Sequence, residues 1–498
     1  MDKAEDKVRL FNLRYFPLFA AFLILGIFTV KVSLLVAVIL WVVAIFIALT
    51  LLFMKRVRWF VALALVVTVF LGYGLASLEL HYRNEVGLRG WGEVTCRVTG
   101  VTESEGEYVV VADHLSAEGK SFSGGVAFTT DTPLSVGDRV TFYGEVRIRM
   151  LSLESIFSAL QYRKGYKYTA TCRDVIRVEE GAQPLSYTVK QGAKEILIKY
   201  QGQRAGGFSY AMLFGDGEEM LEEDKSAMRE VGVAHVFAIS GLHVAVLAGV
   251  ILFILHKCKV KDGVALLVLL PVFGFYAYLV GFSPSVLRAA IMVTLSLAAS
   301  HFGLRYDDLS ALGFAAILLL LTRPLLLFDV SFIMSFLAVF GIQSLASPLK
   351  KAFTSHKMNE KLAGALALSI AATVALLPVS AVVFGRISLV GVLLNLVVVP
   401  LASVAYVITL FGLLLTAAFS GFGAILGAVK YLPLIICDIS AWASSLGLSE
   451  KYDFGIAELL VYYAILAFTG KYSLASKKAK LVTGGMGAGV LAILMFAL

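Results

Sequence analysis

The chain has 498 residues, of which 59% are hydrophobic and 16% charged, with a formal charge of +8. A mean hydropathy of +0.85 excludes a soluble globular domain and leaves a polytopic membrane protein. The basic excess falls mostly in short loops between apolar runs, which is a signal of topology and not a nucleic-acid footprint.

Lys3, Lys7, Arg9 and Arg14 precede the first apolar run without a small-residue cleavage site, so an uncleaved anchor is expected. Apolar runs follow at 15–30, 33–53 and 59–79, with Lys55, Arg56 and Arg58 between the second and third. With the N-terminus cytoplasmic, the third helix delivers residues 81 to 205 outside the cytoplasm.

That segment changes character. Strand-like runs lie at Glu93–Val101, Tyr108–His114, Gly125–Thr130, Val140–Arg149 and Tyr168–Val178, with a helix-like insert at Leu153–Arg163. The pattern reads as a small OB-like β-barrel. Such barrels bind strands through basic grooves and stacking aromatics. The candidates for DNA binding are Arg147, Arg149, Tyr162, Arg163, Lys164, Tyr166 and Lys167. A solvated face with ordinary barrel aromatics is the alternative, because both use the same residue types. Cys96 and Cys172 fall in the first and last strands of an extracytoplasmic barrel, so a disulfide between them is expected. No C-x-x-C occurs among the four cysteines, and no metal or other cofactor is expected.

Tyr187 to Tyr210 is amphipathic and basic on one face, as a segment on a membrane surface would be. The acidic stretch from Glu218 to Glu230 repels phosphate and reads as a solvated helix face or a docking surface. From Val231 an apolar run continues to Leu255, yet it carries His235, Ser240 and His243 with Gly241 beside them. Polar groups at membrane depth face a bundle interior or a wet cavity. Hydrogen bonds to neighbouring helices and a functional cavity are both open readings.

Further runs lie at 264–283, 285–302, 309–323, 325–347, 362–384, 388–418, 421–446, 455–470 and 481–498. The total is about 11–13 spans, some of them re-entrant. The run 388–418 exceeds one straight span, and a break or kink is expected at Pro400. Arg288 and Asp329 are full charges within or beside apolar spans. The basic stretches 350–361 and 471–480 fall on the same side as 55–58.

Three motif-like fragments carry no chemistry. Gly119-Lys120-Ser121 has His114 where a P-loop needs glycine. Gly485 and Gly489 are a helix-packing pair. Ser240 and His243 are too close on one helix for a nucleophile and its base, so an enzyme is not expected.

The sequence from His235 to Val244, H-x-x-A-I-S-G-L-H-V, together with Ala211 to Asp216, A-x-L-x-G-D, resembles the signature of the ComEC-type competence channel family. Further family-like segments follow in order at Tyr278–Ser283, Ser285–Ala290, Arg323-Pro324, Phe328–Phe336, Leu377-Pro378, and Leu394-Asn395 through Pro400-Leu401. The resemblance covers residues 10 to 470, including an OB-type domain whose Asn-Pro-Gly-type turn is missing around Phe157–Lys167. It implies transmembrane helices over 1–80, the barrel over 81–184, an interfacial connector over 185–232 and a channel domain over 233–498.

The function the resemblance implies is an inner-membrane channel for single-stranded transforming DNA; a channel for another solute and a membrane scaffold are the alternatives. The implied path residues are His235, Ser240, Gly241, His243, Ser283, Arg288, Asp329, Ser331, Asn395 and Pro400, with a packing-only polar network as the rival reading. Expected partners are DNA, the membrane, a periplasmic or surface DNA receptor, and a cytoplasmic motor or single-strand-binding protein. Many family members end in a metallo-β-lactamase-like domain; its H-x-H-x-D-H motif is missing here, so a separate nuclease is expected.

Overall fold

The computed structural model describes residues 14–84, 91–104, 107–117, 120–121, 125–148, 166–237, 241–385, 387–388, 390–447, 449–450 and 456–472. These fall into two units. One comprises residues 19–192 and 317–332; the other comprises residues 1–18, 193–316 and 333–498.

The first unit holds most of α1 (Tyr15–Phe28), then α2 (Leu34–Phe53) and α3 (Trp59–Asn84). Their uninterrupted apolar side chains favour helices, because a helix satisfies its own backbone where water is scarce. α1 and α3 meet at glycine: a Cβ at Gly72 would sit 2.6 Å from the Leu23 carbonyl oxygen. α2 buries only Ala37, Ala44 and Ala48, and leaves Leu34, Leu35, Val42 and Phe46 outward as a lipid-facing helix does. At the far end of α3, Glu79 accepts from the Leu325 N–H at 3.1 Å, and Lys31 lies over the Phe328 ring at 5.7 Å.

The barrel consists of β1 (Trp91–Ser104), β2 (Glu107–Ala117), the short β3 (Lys120–Ser121), β4 (Gly125–Thr130), β5 (Arg139–Ile148) and β6 (Tyr166–Glu179). The order β1-β5-β6-β4-β2 closes through β1–β2, with β4 and β6 parallel and β3 appended to β2. This small closed barrel fits the OB-like expectation. Alternation along each strand sends Val94, Cys96, Val98, Val110, Ala112, Phe128, Val140, Phe142 and Val146 into one core. Phe128 and Phe142 meet there with centroids 4.6 Å apart.

Strand order also corrects the expected disulfide. Both cysteines are free thiols. β5 lies between β1 and β6, and Cys96 pairs with Val140 while Cys172 pairs with Gly144. An intervening strand and a four-residue offset on it keep the sulfurs from bonding. Burial, with smaller contributions from Asp113 and Cys172, pushes the Cys96 thiol up to about 12.

α4 (Leu185–Gln201) leads into the second unit, followed by α5 (Gln203–Phe214) and α6 (Glu222–Glu230). The acidic α6 proves to be a docked helix. Arg204 on α5 grips Asp224 through Nε and a terminal nitrogen at 2.9 and 2.8 Å, and Asp438 through its other terminal nitrogen at 2.8 Å. Ser444 adds a bond to Glu230 at 2.5 Å.

The remaining helices are α7 (Gly241–Lys257), α8 (Asp262–Leu279), α9 (Pro284–His301), α10 (Asp308–Thr322), α11 (Val330–Ser355) and α12 (Glu360–Phe384). The strand β7 (Ile387–Ser388) leads into α13 (Val390–Ala418). Then come α14 (Gly423–Val429), α15 (Tyr431–Ser445), β8 (Ser449–Glu450) and α16 (Ile456–Thr469). Among the described residues, 7 helices are long and apolar enough to cross a membrane, with shorter apolar helices at Tyr15–Lys31, Gly241–Lys257 and Asp308–Thr322.

One expectation changes here. The apolar run from Val231 opens on a 3-10 turn at Ala234–Val236, and α7 is described from Gly241. α13 continues through Pro400 without a break, so of the expected break or kink the break does not occur: the proline costs one backbone bond and the flanking apolar turns hold the rest.

Contacts between distant segments fix which helix ends share a side of this unit. Arg14 pairs with Asp307, which also caps α10 at the Ser310 N–H, and Arg14 lies over the Tyr472 ring at 5.2 Å. At the opposite ends, β7 pairs with β8.

Candidate functional site

In the second unit α7, α8 and α9 pack on one another, and α13 packs across α7 and the 234–236 turn. α13 comes close to that turn because Gly391 has no side chain: a Cβ there would sit 2.6 Å from the Val231 carbonyl oxygen. The irregular entry to α7 is thus covered by protein, as backbone outside a helix must be at membrane depth.

His243, on α7, is 2% exposed and stacks flat on Tyr406 of α13, with centroids 4.6 Å apart and planes 9° from parallel. The Tyr406 hydroxyl has no hydrogen-bond partner among the described residues, and on α8 the Tyr276 hydroxyl donates to the Leu213 carbonyl at 2.9 Å. His235, on the turn, is exposed.

Arg288, one turn into α9, is 6% exposed. Its guanidinium lies across the Cα of Gly241, where any Cβ would overlap it, and donates to the Ser335 carbonyl of α11 at 2.6 Å. Among the described residues no carboxylate neutralises it, and its Nε has no partner. Arginine stays charged in any protein environment, so this is a buried cation held by one carbonyl bond. Ser283 and Ser285 are buried beside the start of α9.

Unpartnered polar atoms cluster on the same helices. They include His243 Nδ1, Asn395 Oδ1, Thr409 Oγ1 and Thr416 Oγ1. On α13, Asn395, Tyr406, Thr409 and Thr416 share one helix face, and 21 residues at 1.5 Å rise extend that face over about 30 Å, the thickness of a bilayer core. A buried polar atom without a partner costs about 1–3 kcal/mol, so the face is expensive unless it meets water or a polar ligand.

A competence protein family model matches residues 212–475, which contain every helix that builds this cluster. The chain belongs to the competence protein family. It is 32% identical over 194 residues to ComE operon protein 3 of Bacillus subtilis (strain 168), covering 39% of this chain and 24% of that relative. It is also 32% identical over 146 residues to an uncharacterized protein of Aquifex aeolicus (strain VF5), covering 29% of this chain and 34% of the other. The chain thus covers about a third or less of each relative's length. No solved structure matches.

In this competence protein the structure brings Gly241, His243 and Arg288 together, with His235 and Asn395 on elements packed against them. Ser240 lies outside the described residues. Pro400 is exposed on α13. Asp329 and Ser331 belong to the first unit, where Asp329 is buried and accepts from the Phe332 N–H at 3.1 Å, capping α11. Of the barrel candidates, Arg149, Tyr162, Arg163 and Lys164 lie outside the described residues. Only the backbones of Arg147, Tyr166 and Lys167 are described, on β5 and β6.

The sequence reading missed Tyr406, Tyr276 and Gly391. Tyr406 falls 11 residues after Asn395, on the same helix face, and that spacing was the available signal. It also missed an exposed stacked pair on the barrel, Trp91 and Tyr143, with centroids 6.1 Å apart. Glu93 and Glu145 flank this pair in the β1–β5 register, whereas Arg97 and Arg139 face each other further along it.

Proposed function

We propose that this protein is the inner-membrane channel that carries one strand of transforming DNA into the cytoplasm during natural competence. The reading is supported most by Arg288, a buried cation without a carboxylate partner among the described residues, set in an apolar helical unit among polar groups from α7 and α13. A purely structural network would pair that charge, because an unpaired ion at this depth is costly. A strand of phosphates gives it a partner in transit.

In this reading the N-terminus is cytoplasmic and the barrel stands outside as the entry side. His235, Gly241, His243, Ser283, Arg288 and Asn395 line the path within the second unit. Ser240, Asp329, Ser331 and Pro400 also belong to the family-like segments. A receptor outside and a motor or strand-binding protein inside supply capture and pull, and a separate nuclease degrades the other strand. The chain itself carries no catalytic step.

Entry of labelled DNA into cells lacking this chain tests the proposal. The expected result is DNA bound outside and none imported, with import restored by the wild-type chain. Normal transformation without the chain overturns it.

A further inference from the structure

We infer that α5 is a plug. It closes the transport path by lying on the polar face of α13, and it swings aside on a glycine at each end when a strand passes. The inference rests on the channel reading, in which that face of α13 lines the path.

A helix buried on every side belongs to the middle of a helical unit. α5 is such a helix, since the ten residues from Ala205 to Phe214 are all buried. It packs on α13 and α15. Its start is placed by Tyr200, whose ring lies on Gly423, where a Cβ would overlap it, and whose hydroxyl donates to the Ser420 carbonyl at 3.3 Å. Ser420 and Gly423 come just after α13 in the chain, so α5 begins beside the Thr416 end of that helix.

Buried polar atoms without partners stand on both helices. On α13 they are Thr409 Oγ1 and Thr416 Oγ1, on the same face as Asn395. On α5 there is Ser209 Oγ, and just before it both amide ends of Gln201. Helices that only hold each other would be apolar here or would pair these groups, because a buried hydroxyl without a partner loses its water and gains nothing in return. Each group regains a partner when α5 leaves and water reaches the face.

What ties α5 down is found at its ends. At the start, Arg204 grips Asp224 and Asp438. At the end, the Tyr276 hydroxyl of α8 donates to the Leu213 carbonyl, one of the last that a helix leaves unpaired. Beyond each tie is a glycine in the left-handed region, Gly202 at φ +79° and Gly215 at φ +69°. Glycine reaches other backbone angles without strain, so these two positions serve as hinges about which a short helix turns as a body.

The test uses the full chain reconstituted in liposomes loaded with self-quenching carboxyfluorescein, which the wild-type chain should release slowly. Tyr276→Phe removes the tie at the end of α5 and leaves the ring in place. It should speed release about fivefold. Asp438→Asn, at an exposed pair, should speed it about twofold. A second set of variants tightens the plug: Thr409→Val and Thr416→Val keep the shape and drop the hydroxyl. Together they should raise the melting temperature and lower both dye release and entry of labelled DNA into cells about tenfold. Adding Tyr276→Phe to that pair should restore entry. A seam that is merely structural, or a path that only needs its hydroxyls, gives no such rescue.

If Tyr276→Phe and Asp438→Asn fold as the wild type does and release is unchanged, the plug is overturned and the channel reading stands. If either melts early, the valine pair still decides: normal entry in that pair overturns the plug. Lost entry that Tyr276→Phe does not restore overturns it too. Normal DNA entry in cells lacking the chain overturns the channel reading and the plug with it, since no path is then left to close.

Discussion

The imidazole of His243 stacks on the phenol ring of Tyr406, 4.6 Å between centroids and 9° from parallel, and so locks α7 to the middle of α13. Stacking and hydroxyl can be separated. Tyr406→Ala opens a void in a fully buried position and should cost about 3–5 kcal/mol, seen as less protein in the membrane and a lower melting temperature. Tyr406→Phe keeps the stack and should reach the membrane in normal amount. His243→Ala should also accumulate normally and yet import no labelled DNA. Loss of the protein itself in His243→Ala would mark the pair as packing alone.

How far the sequence revealed this depends on the element. The barrel was legible nearly strand by strand, because strict alternation around Val94, Cys96 and Val98 marks each strand and its inward face. Its strand order was not legible: alternation says which face is inside and nothing about neighbours, so β5 between Cys96 and Cys172 came as a correction. Within the site, Arg288 and His243 stood out as polar groups in apolar runs. Tyr406 did not, since a tyrosine among Val and Leu reads as ordinary core. The 3-10 turn at Ala234–Val236 was also hidden, because hydropathy measures burial and not backbone conformation.

Gly241 and Arg288 should behave as one unit. Gly241→Ala displaces the far end of a flexible side chain, so folding should be little affected. DNA entry should nonetheless fall as far as in Arg288→Ala, although the arginine is still present. The double variant should show no further loss, since both changes remove the same interaction. Additive losses in labelled-DNA entry would mean the two residues act separately.

Asp329 caps α11 through the Phe332 N–H. Asp329→Ala should cost about 0.5–2 kcal/mol of stability and abolish DNA entry while the protein still reaches the membrane. Asp329→Asn and Asp329→Ser keep a capping oxygen without the charge. If capping is what matters, both should restore stability and entry to near wild type; entry lost in all three variants would tie it to the carboxylate charge.

The Cys96 thiol titrates near 12 because it is buried in the barrel core, against 9.0 for the free group. A folded-state value above the unfolded one makes its contribution to stability complete below pH 9 and progressively lost as pH rises toward 12. The barrel should therefore melt earlier at pH 10 than at pH 8, and Cys96→Ala should shrink that difference. An unchanged difference in Cys96→Ala would place the alkaline sensitivity elsewhere.

Orientation can be read with the remaining thiols and a fusion. Cys258 is exposed between α7 and α8 and flanked by Lys257, Lys259 and Lys261, a basic loop of the kind retained in the cytoplasm. A membrane-impermeant maleimide should therefore label it in inverted vesicles and not in intact cells. Cys96, buried and protonated, should resist the reagent from both sides until the barrel is unfolded. A phosphatase fused at residue 120, on β3, should be active, because the barrel lies beyond an odd number of spans, α1 to α3, from a cytoplasmic N-terminus. Labelling of Cys258 in intact cells together with an inactive fusion would invert the whole arrangement, placing the barrel inside and reversing the direction in which a strand would travel.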